Sequence, residues 1–197
     1  MTYELMIALT VFAFVATVSP GPNNLMLMAS GANFGFRRSV PHMAGIGIGF
    51  AVMIALVGVG LMGIFETWPV TNLILKVLGT GYMCWLAWKI ANSAPPEKAE
   101  AEAKPLSFMQ AALFQWVNPK AWAMGMTAIS IYTPDHDLLS VLTVALIFGL
   151  VAIPSVSLWT LIGQQIRRVL NNPLRLRLFN GTMAVLLVMS LYPILMT

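Results

Sequence analysis

The chain has 197 residues, of which 58% are hydrophobic and only 9% charged, and its mean hydropathy is +0.81. A soluble domain is about one quarter charged, so this composition excludes a water-soluble globular protein and indicates an integral membrane one. The net charge of +4 does not mark a nucleic-acid binder, because the basic residues flank apolar spans instead of forming a stripe.

At roughly 20 residues per span of a ~30 Å hydrocarbon core, the length has room for about six helices. The first segment, from about Tyr3 to Ala32, does not read as a cleavable signal. Its only early charge is Glu4, and no small-x-small site follows the apolar run. This segment is interrupted by Ser19-Pro20-Gly21-Pro22-Asn23-Asn24, between apolar Leu5–Val18 and Leu25–Ala32. Proline inside a helix removes a donor and clashes with the preceding turn, so two prolines around a glycine predict a complete break. At membrane depth, broken backbone survives only where it is buried in protein or lines a polar cavity.

A turn with Arg37 and Arg38 leads to segment two, Val40–Ile64, where Gly45 and Gly49 share one helix face and permit close helix approach. Its Gly-x-Gly-x-Gly run lacks the spacing and the preceding strand of a nucleotide loop. His42 lies near the start of this segment, with packing, interfacial placement or proton transfer as its open roles. Glu66-Thr67-Trp68-Pro69 predicts a turn. Segment three follows, from about Val70 to Ile90, and ends in an interfacial set of Trp85, Trp88 and Lys89. It holds the lone cysteine, Cys84, which excludes an internal disulfide and a cysteine metal cluster. Residues 94–105, rich in Pro, Glu, Lys and Ala, read as a linker between a first repeat (1–93) and a second (106–197), within one transporter domain.

Segment four, Phe108–Ile131, is broken at Asn118-Pro119-Lys120. Asp135-His136-Asp137 forms an acidic turn after it, and no further metal ligands accompany it. Segment five, Leu138–Ile162, contains Pro154, with Ser155, Ser157 and Thr160 placed either to satisfy freed carbonyls or to line a pathway. Arg167, Arg168, Arg175 and Arg177 precede segment six, from about Leu178 to Met196.

Placing the arginine- and lysine-rich loops in the cytoplasm puts both termini outside, in the periplasm or extracellular space. Three helices per half is an odd number, so the halves are expected to be inverted repeats. Pro20 and Pro119 stand 99 positions apart, about half the chain. Paired proline-interrupted segments in two halves are the best sequence pointer to a secondary transporter's binding site. The expected fold is therefore all-α, with six transmembrane helices in two inverted three-helix repeats and helices one and four broken.

The chemistry of the breaks follows from their helix ends. Amides after Pro22 (Asn23, Asn24, Leu25) and after Pro119 (Lys120, Ala121) suit a carboxylate. Carbonyls at Thr17–Ser19 and Trp116–Asn118 suit an ammonium group, so an amino acid matches both polarities. Lys120 lies about 18 Å along its segment at 1.5 Å per residue, where a charge is functional by default. Asn23, Asn24, Gln115 and Asn118 either bind substrate or cap freed backbone. The spans contain no acid, which favours a neutral amino acid over a cationic one.

These residues also carry a resemblance. Ser19–Asn24, Gly31, Gly35-Phe36-Arg37-Arg38, the Gly45/Gly49 pair and Asn118-Pro119-Lys120 resemble the LysE/RhtB family of amino-acid export permeases, across essentially the whole chain. Trp85-Leu86-Ala87-Trp88-Lys89-Ile90 is most similar to the branch that exports cysteine and O-acetylserine. The resemblance implies proton-driven efflux across the bacterial inner membrane, with substrate-path roles for Pro20, Gly21, Pro22, Asn23, Asn118, Pro119 and Lys120. The resulting expectation is a transporter, not an enzyme, without cofactor or metal. Its partners are an amino-acid substrate and membrane lipids, with a homodimer left open. The rival readings are a passive facilitator and a non-transporting membrane scaffold.

Overall fold

The computed structural model describes residues 1–61, 70–93, 104–133, 137–170 and 172–192. The turn expected at Glu66–Pro69, most of the linker, Asp135-His136 of the acidic turn, and the far ends of segments two and six lie outside the described residues. Among the described residues every regular element is helical. These are α1 (Tyr3–Val18), α2 (Pro22–Phe34), α3 (Phe36–Leu56), α4 (Val70–Ala91), α5 (Phe108–Phe114), α6 (Pro119–Tyr132), α7 (Leu138–Arg167) and α8 (Pro173–Met189).

Local chemistry explains where these helices begin. The Thr2, Asp137 and Asn172 side chains accept from the amides of Leu5, Ser140 and Leu174, and Ser107 forms a reciprocal capping box with Gln110. Pro22, Pro119 and Pro173 each occupy the first helical position, where the missing N–H costs nothing. Gly35, at φ 78°, makes the corner between α2 and α3 in a conformation that a side chain would strain.

Both expected breaks are present, with shifted details. The bend between α1 and α2 is 56°. Segment four loosens earlier than expected: Gln115–Val117 is a 3₁₀ turn, and only Asn118 is extended. Lys120 is already in the first turn of α6. Pro22 and Pro119 each open the helix that follows a break, whereas Pro20 lies within the break itself. Segment two starts earlier, at Phe36, and its α-helix ends at Leu56, running on as a wider π turn over Val57–Leu61. Pro154 does not interrupt α7.

The helices pack closely where they lack side chains. α2 crosses α7 backbone to backbone: a Cβ on Gly31 would strike the Thr160 carbonyl, and one on Gly163 would strike the Met28 carbonyl. The Gly45/Gly49 face of α3 lies against Phe108, Ala111 and Ala112 of α5, as its spacing predicted. α3 also packs on α7, α1 on α7, and α4 on α8. Two apolar cores flank the breaks. One joins Leu9, Phe50, Met53, Val144 and Phe148, and the other joins Met26, Met83, Leu86, Phe114 and Leu187.

The outer surface is apolar too. Leu139, Leu142, Leu146, Leu150 and Ile153 on α7, and Ile7, Val11, Phe14 and Val15 on α1, are all exposed. In water such a surface would drive association, whereas lipid tails are as apolar as these side chains. By length and composition, α3 with its π turn and α7 are each able to cross a membrane, as is the bent α1–α2 pair if taken as one span.

Candidate functional site

The site forms where α1 stops. A helix end leaves its last carbonyls without donors, and here side chains from three other helices supply them. The Thr17 carbonyl accepts from Asn24 Nδ2 at 2.8 Å and from Ser155 Oγ at 2.8 Å. The Val18 carbonyl accepts from Trp159 Nε1 at 3.0 Å. The Ser19 carbonyl accepts from Asn24 Nδ2 at 2.8 Å and from the Lys120 ammonium. Lys120 Nζ also donates to Ser19 Oγ at 2.8 Å and to the Pro20 carbonyl at 3.2 Å.

The second break is satisfied mainly from within. Asn118 Oδ1 caps the Lys120 amide at 3.2 Å, the Trp116 carbonyl accepts from Trp122 Nε1 at 2.9 Å, and Gln115 Nε2 donates to the Ala111 carbonyl at 2.8 Å. One pair ties the two breaks together. Asn23 Nδ2 donates to Gln115 Oε1 at 2.8 Å, and Gln115 Nε2 returns a bond to Asn23 Oδ1 at 3.2 Å.

Electrostatics explains the position of Lys120. A cation in the first turn of a helix opposes that helix's own dipole, which presents about half a positive charge there. The C-terminal end of α1 presents the opposite partial charge, and the ammonium reaches across to it. Sequence reasoning reserved these carbonyls for a substrate amine; in this conformation Lys120 and Asn24 occupy them. Leu25 N is likewise spent, on the Gly21 carbonyl at 3.0 Å.

A small cavity of about 30 Å³ lies beside these groups, lined in part by Thr17, Gly21, Asn23, Asn118, Lys120 and Ser155. A water needs roughly 10–15 Å³ on this measure, so the cavity has room for water but not for an amino acid. Of the nine residues singled out in the sequence, Gly21, Asn23, Asn24, Asn118 and Lys120 line it; Pro20, Pro22, Gln115 and Pro119 shape the breaks around it. None of its lining residues is acidic. Gly21 leaves space for Lys120, whose Cδ would be 2.6 Å from a Cβ placed there.

Sequence reasoning missed Trp159. The available signal was its position one turn after Ser155, on the same face of α7. The buried Asn33–Asn180 pair, at 2.9 and 3.2 Å between α2 and α8, was also missed. Its partners stand 147 positions apart, and no local pattern joins them.

Residues 14–190 match the LysE type translocator model. The chain is 32% identical over 170 residues to the cysteine/O-acetylserine efflux proteins of Escherichia coli K12 and Shigella sonnei, covering 85% of this chain and 87% of each relative. The corresponding protein of Escherichia coli O1:K1 is 31% identical over the same extent. No solved structure is significantly similar. With a match over most of its length, the chain belongs to the LysE type translocator family and is a membrane transporter, not an enzyme.

Proposed function

We propose that this protein exports a small neutral amino acid or derivative, of the cysteine/O-acetylserine kind named for its relatives, across the bacterial inner membrane. The observation that carries the reading is Lys120. Its ammonium is half-buried where two broken helices meet, its hydrogen-bond partners among the described residues are all neutral oxygens, and no acid lines the cavity beside it. A charge so placed has no counter-ion among the described residues, and a substrate carboxylate supplies one. As the carboxylate draws Lys120 away, the Ser19 and Pro20 carbonyls are released to accept from the substrate's ammonium. Asn23 and Asn118, which line the same cavity, complete the contacts. The lack of an acid in the cavity favours a neutral side chain over a cationic one.

Alternating access of two inverted three-helix repeats is the proposed mechanism, with both termini outside. Matching α1–α2 with α5–α6, α3 with α7, and α4 with α8 gives a packing pattern consistent with a two-fold relation. The pairs α3–α7 and α4–α8 become self-matched, while α1 on α7 exchanges with α5 on α3. The present cavity, too small for substrate, suits an occluded state.

Counterflow in proteoliposomes preloaded with mixed neutral amino acids, with and without an imposed proton gradient, tests the reading. Gradient-dependent movement of one of them is expected. Lys120→Met removes a charge-assisted contact of about 1.5–3 kcal/mol and is expected to slow export by about 10- to 100-fold. Normal export by a well-expressed Lys120→Met protein would overturn the role of Lys120. Gradient-independent leak of many solutes would replace the exporter with a passive facilitator.

A further inference from the structure

A second cavity, of about 50 Å³, lies between α2, α3, α4 and the segment leading into α5. Its polar lining comprises Ser30, Asn33, His42, Lys89, Ser93 and Lys104. Most of these groups are already engaged. Asn33 Nδ2 bonds to the Ala29 carbonyl and to Asn180, Ser30 Oγ lies 2.7 Å from Ser39 Oγ, and Ser93 Oγ donates to the Lys89 carbonyl at 3.0 Å. His42 differs: it is 1% exposed, and neither ring nitrogen has a hydrogen-bond partner. A neutral imidazole brings one donor and one acceptor, and burying both without partners is costly.

The charged lining residues, Lys89 and Lys104, are both basic. An unspent buried donor beneath a basic rim fits a carboxylate. The volume fits as well, since it accommodates a few water-sized atoms, as a carboxylate group requires, and not a whole side chain.

Geometry relates this cavity to the first. Asn23, Met26, Ser30 and Asn33 recur at spacings of three and four, so they share one face of α2. From Asn23 to Asn33 that face runs about 15 Å at 1.5 Å per residue, from the Lys120 cavity to the His42 cavity. Between them Met26 packs with Leu86, Leu106 and Phe114, and Asn23 is held by Gln115.

We propose that the His42 cavity is a second binding site, which takes the carboxylate of the amino acid before it passes Met26 to reach Lys120. His42 is the buried donor, and Lys89 and Lys104 form the rim. The order of events rests on the export reading; the ligand chemistry does not.

The test uses the full-length protein carrying Cys84→Ala and Ser93→Cys. The rate at which a methanethiosulfonate reagent labels the introduced thiol is measured with acetate, with acetamide, and with chloride at equal ionic strength. Acetate at about four times its dissociation constant is expected to slow labelling about fivefold, as simple occupancy requires, with no effect from acetamide or chloride. The protection is expected to disappear in His42→Leu. Acetate no more effective than chloride overturns the proposal, as does protection that persists in folded His42→Leu. If His42→Leu does not fold, Lys89→Gln/Lys104→Gln, altered at the rim, decides by the same criterion. Lys120→Met is expected to slow export by about 10- to 100-fold and keep the acetate effect, so failure of the export reading and failure of this site are separately visible.

Discussion

Asn24 distinguishes a backbone cap from a substrate ligand. Its side-chain amide donates to the Thr17 and Ser19 carbonyls at 2.8 Å each, and the residue is 4% exposed. Leucine is close in size and can make neither bond. A buried hydrogen bond contributes about 0.5–1.5 kcal/mol, so losing both costs about 1–3 kcal/mol. The full penalty for stranded acceptors does not apply, because Ser155 still reaches the Thr17 carbonyl and Lys120 still reaches that of Ser19. Asn24→Leu is therefore expected to lower unfolding free energy by about 1–3 kcal/mol in detergent titrations, while the substrate concentration for half-maximal export stays unchanged. Unchanged stability with a raised half-saturation concentration would refute the capping role and make Asn24 a substrate ligand.

Gly31→Ala places a methyl group on the Thr160 backbone carbonyl, which cannot swing aside as a side chain can. A loss of about 1–3 kcal/mol or more is expected from such overpacking, read by the same unfolding titration. Asp137, outside the spanning segments, is held below the usual carboxylate range by hydrogen bonds from the Ser140 side chain and backbone. A lowered folded value means its stabilisation is present above the unfolded value near 3.8 and fades as pH falls through the folded one. Wild type and Asp137→Asn are thus expected to differ in stability at neutral pH and to converge once the carboxyl is protonated.

Both breaks were legible because proline acts locally: Pro20, Pro22 and Pro119 interrupt apolar runs that nothing else would interrupt. The Gly45/Gly49 face was legible for a similar reason, since four-residue spacing already places two glycines on one side of a helix. Lys120 was conspicuous as a lone charge in apolar surroundings, but its present partners were not. Ser19 lies 101 positions away, and a helix end attracts a cation whether that cation comes from a substrate or from the chain. The partners of Asn24 were hidden by an ambiguity of its chemistry, because an amide beside broken backbone suits capping and ligand binding equally well. His42 shows a further limit. One histidine at the start of an apolar helix gives no indication that both ring nitrogens will be buried without partners.

The two halves differ most where their second half-helices pack. α2 meets α7 backbone to backbone at Gly31 and Gly163, whereas a Cβ on Gly125 of α6 would meet only Ile54 Cγ1, at 3.5 Å. Counted from Pro22 and Pro119, Gly125 corresponds to Met28, the residue whose backbone touches Gly163. If the repeats exchange conformations during transport, α6 must at some stage approach α3 as closely as α2 now approaches α7. Gly125→Ala separates the observed state from that exchanged one. Here the added methyl meets only ordinary contact, and alanine gains up to about 1 kcal/mol of helix propensity over glycine. In the exchanged state the same methyl would press on backbone, at a cost of about 1–3 kcal/mol. The variant is therefore expected to be as stable as wild type or more so, yet to export about 5- to 100-fold more slowly if that cost falls on the rate-limiting step. Undiminished export by a stabilised Gly125→Ala protein would mean that the α6–α3 crossing never tightens, and the exchange of repeats would have to be abandoned.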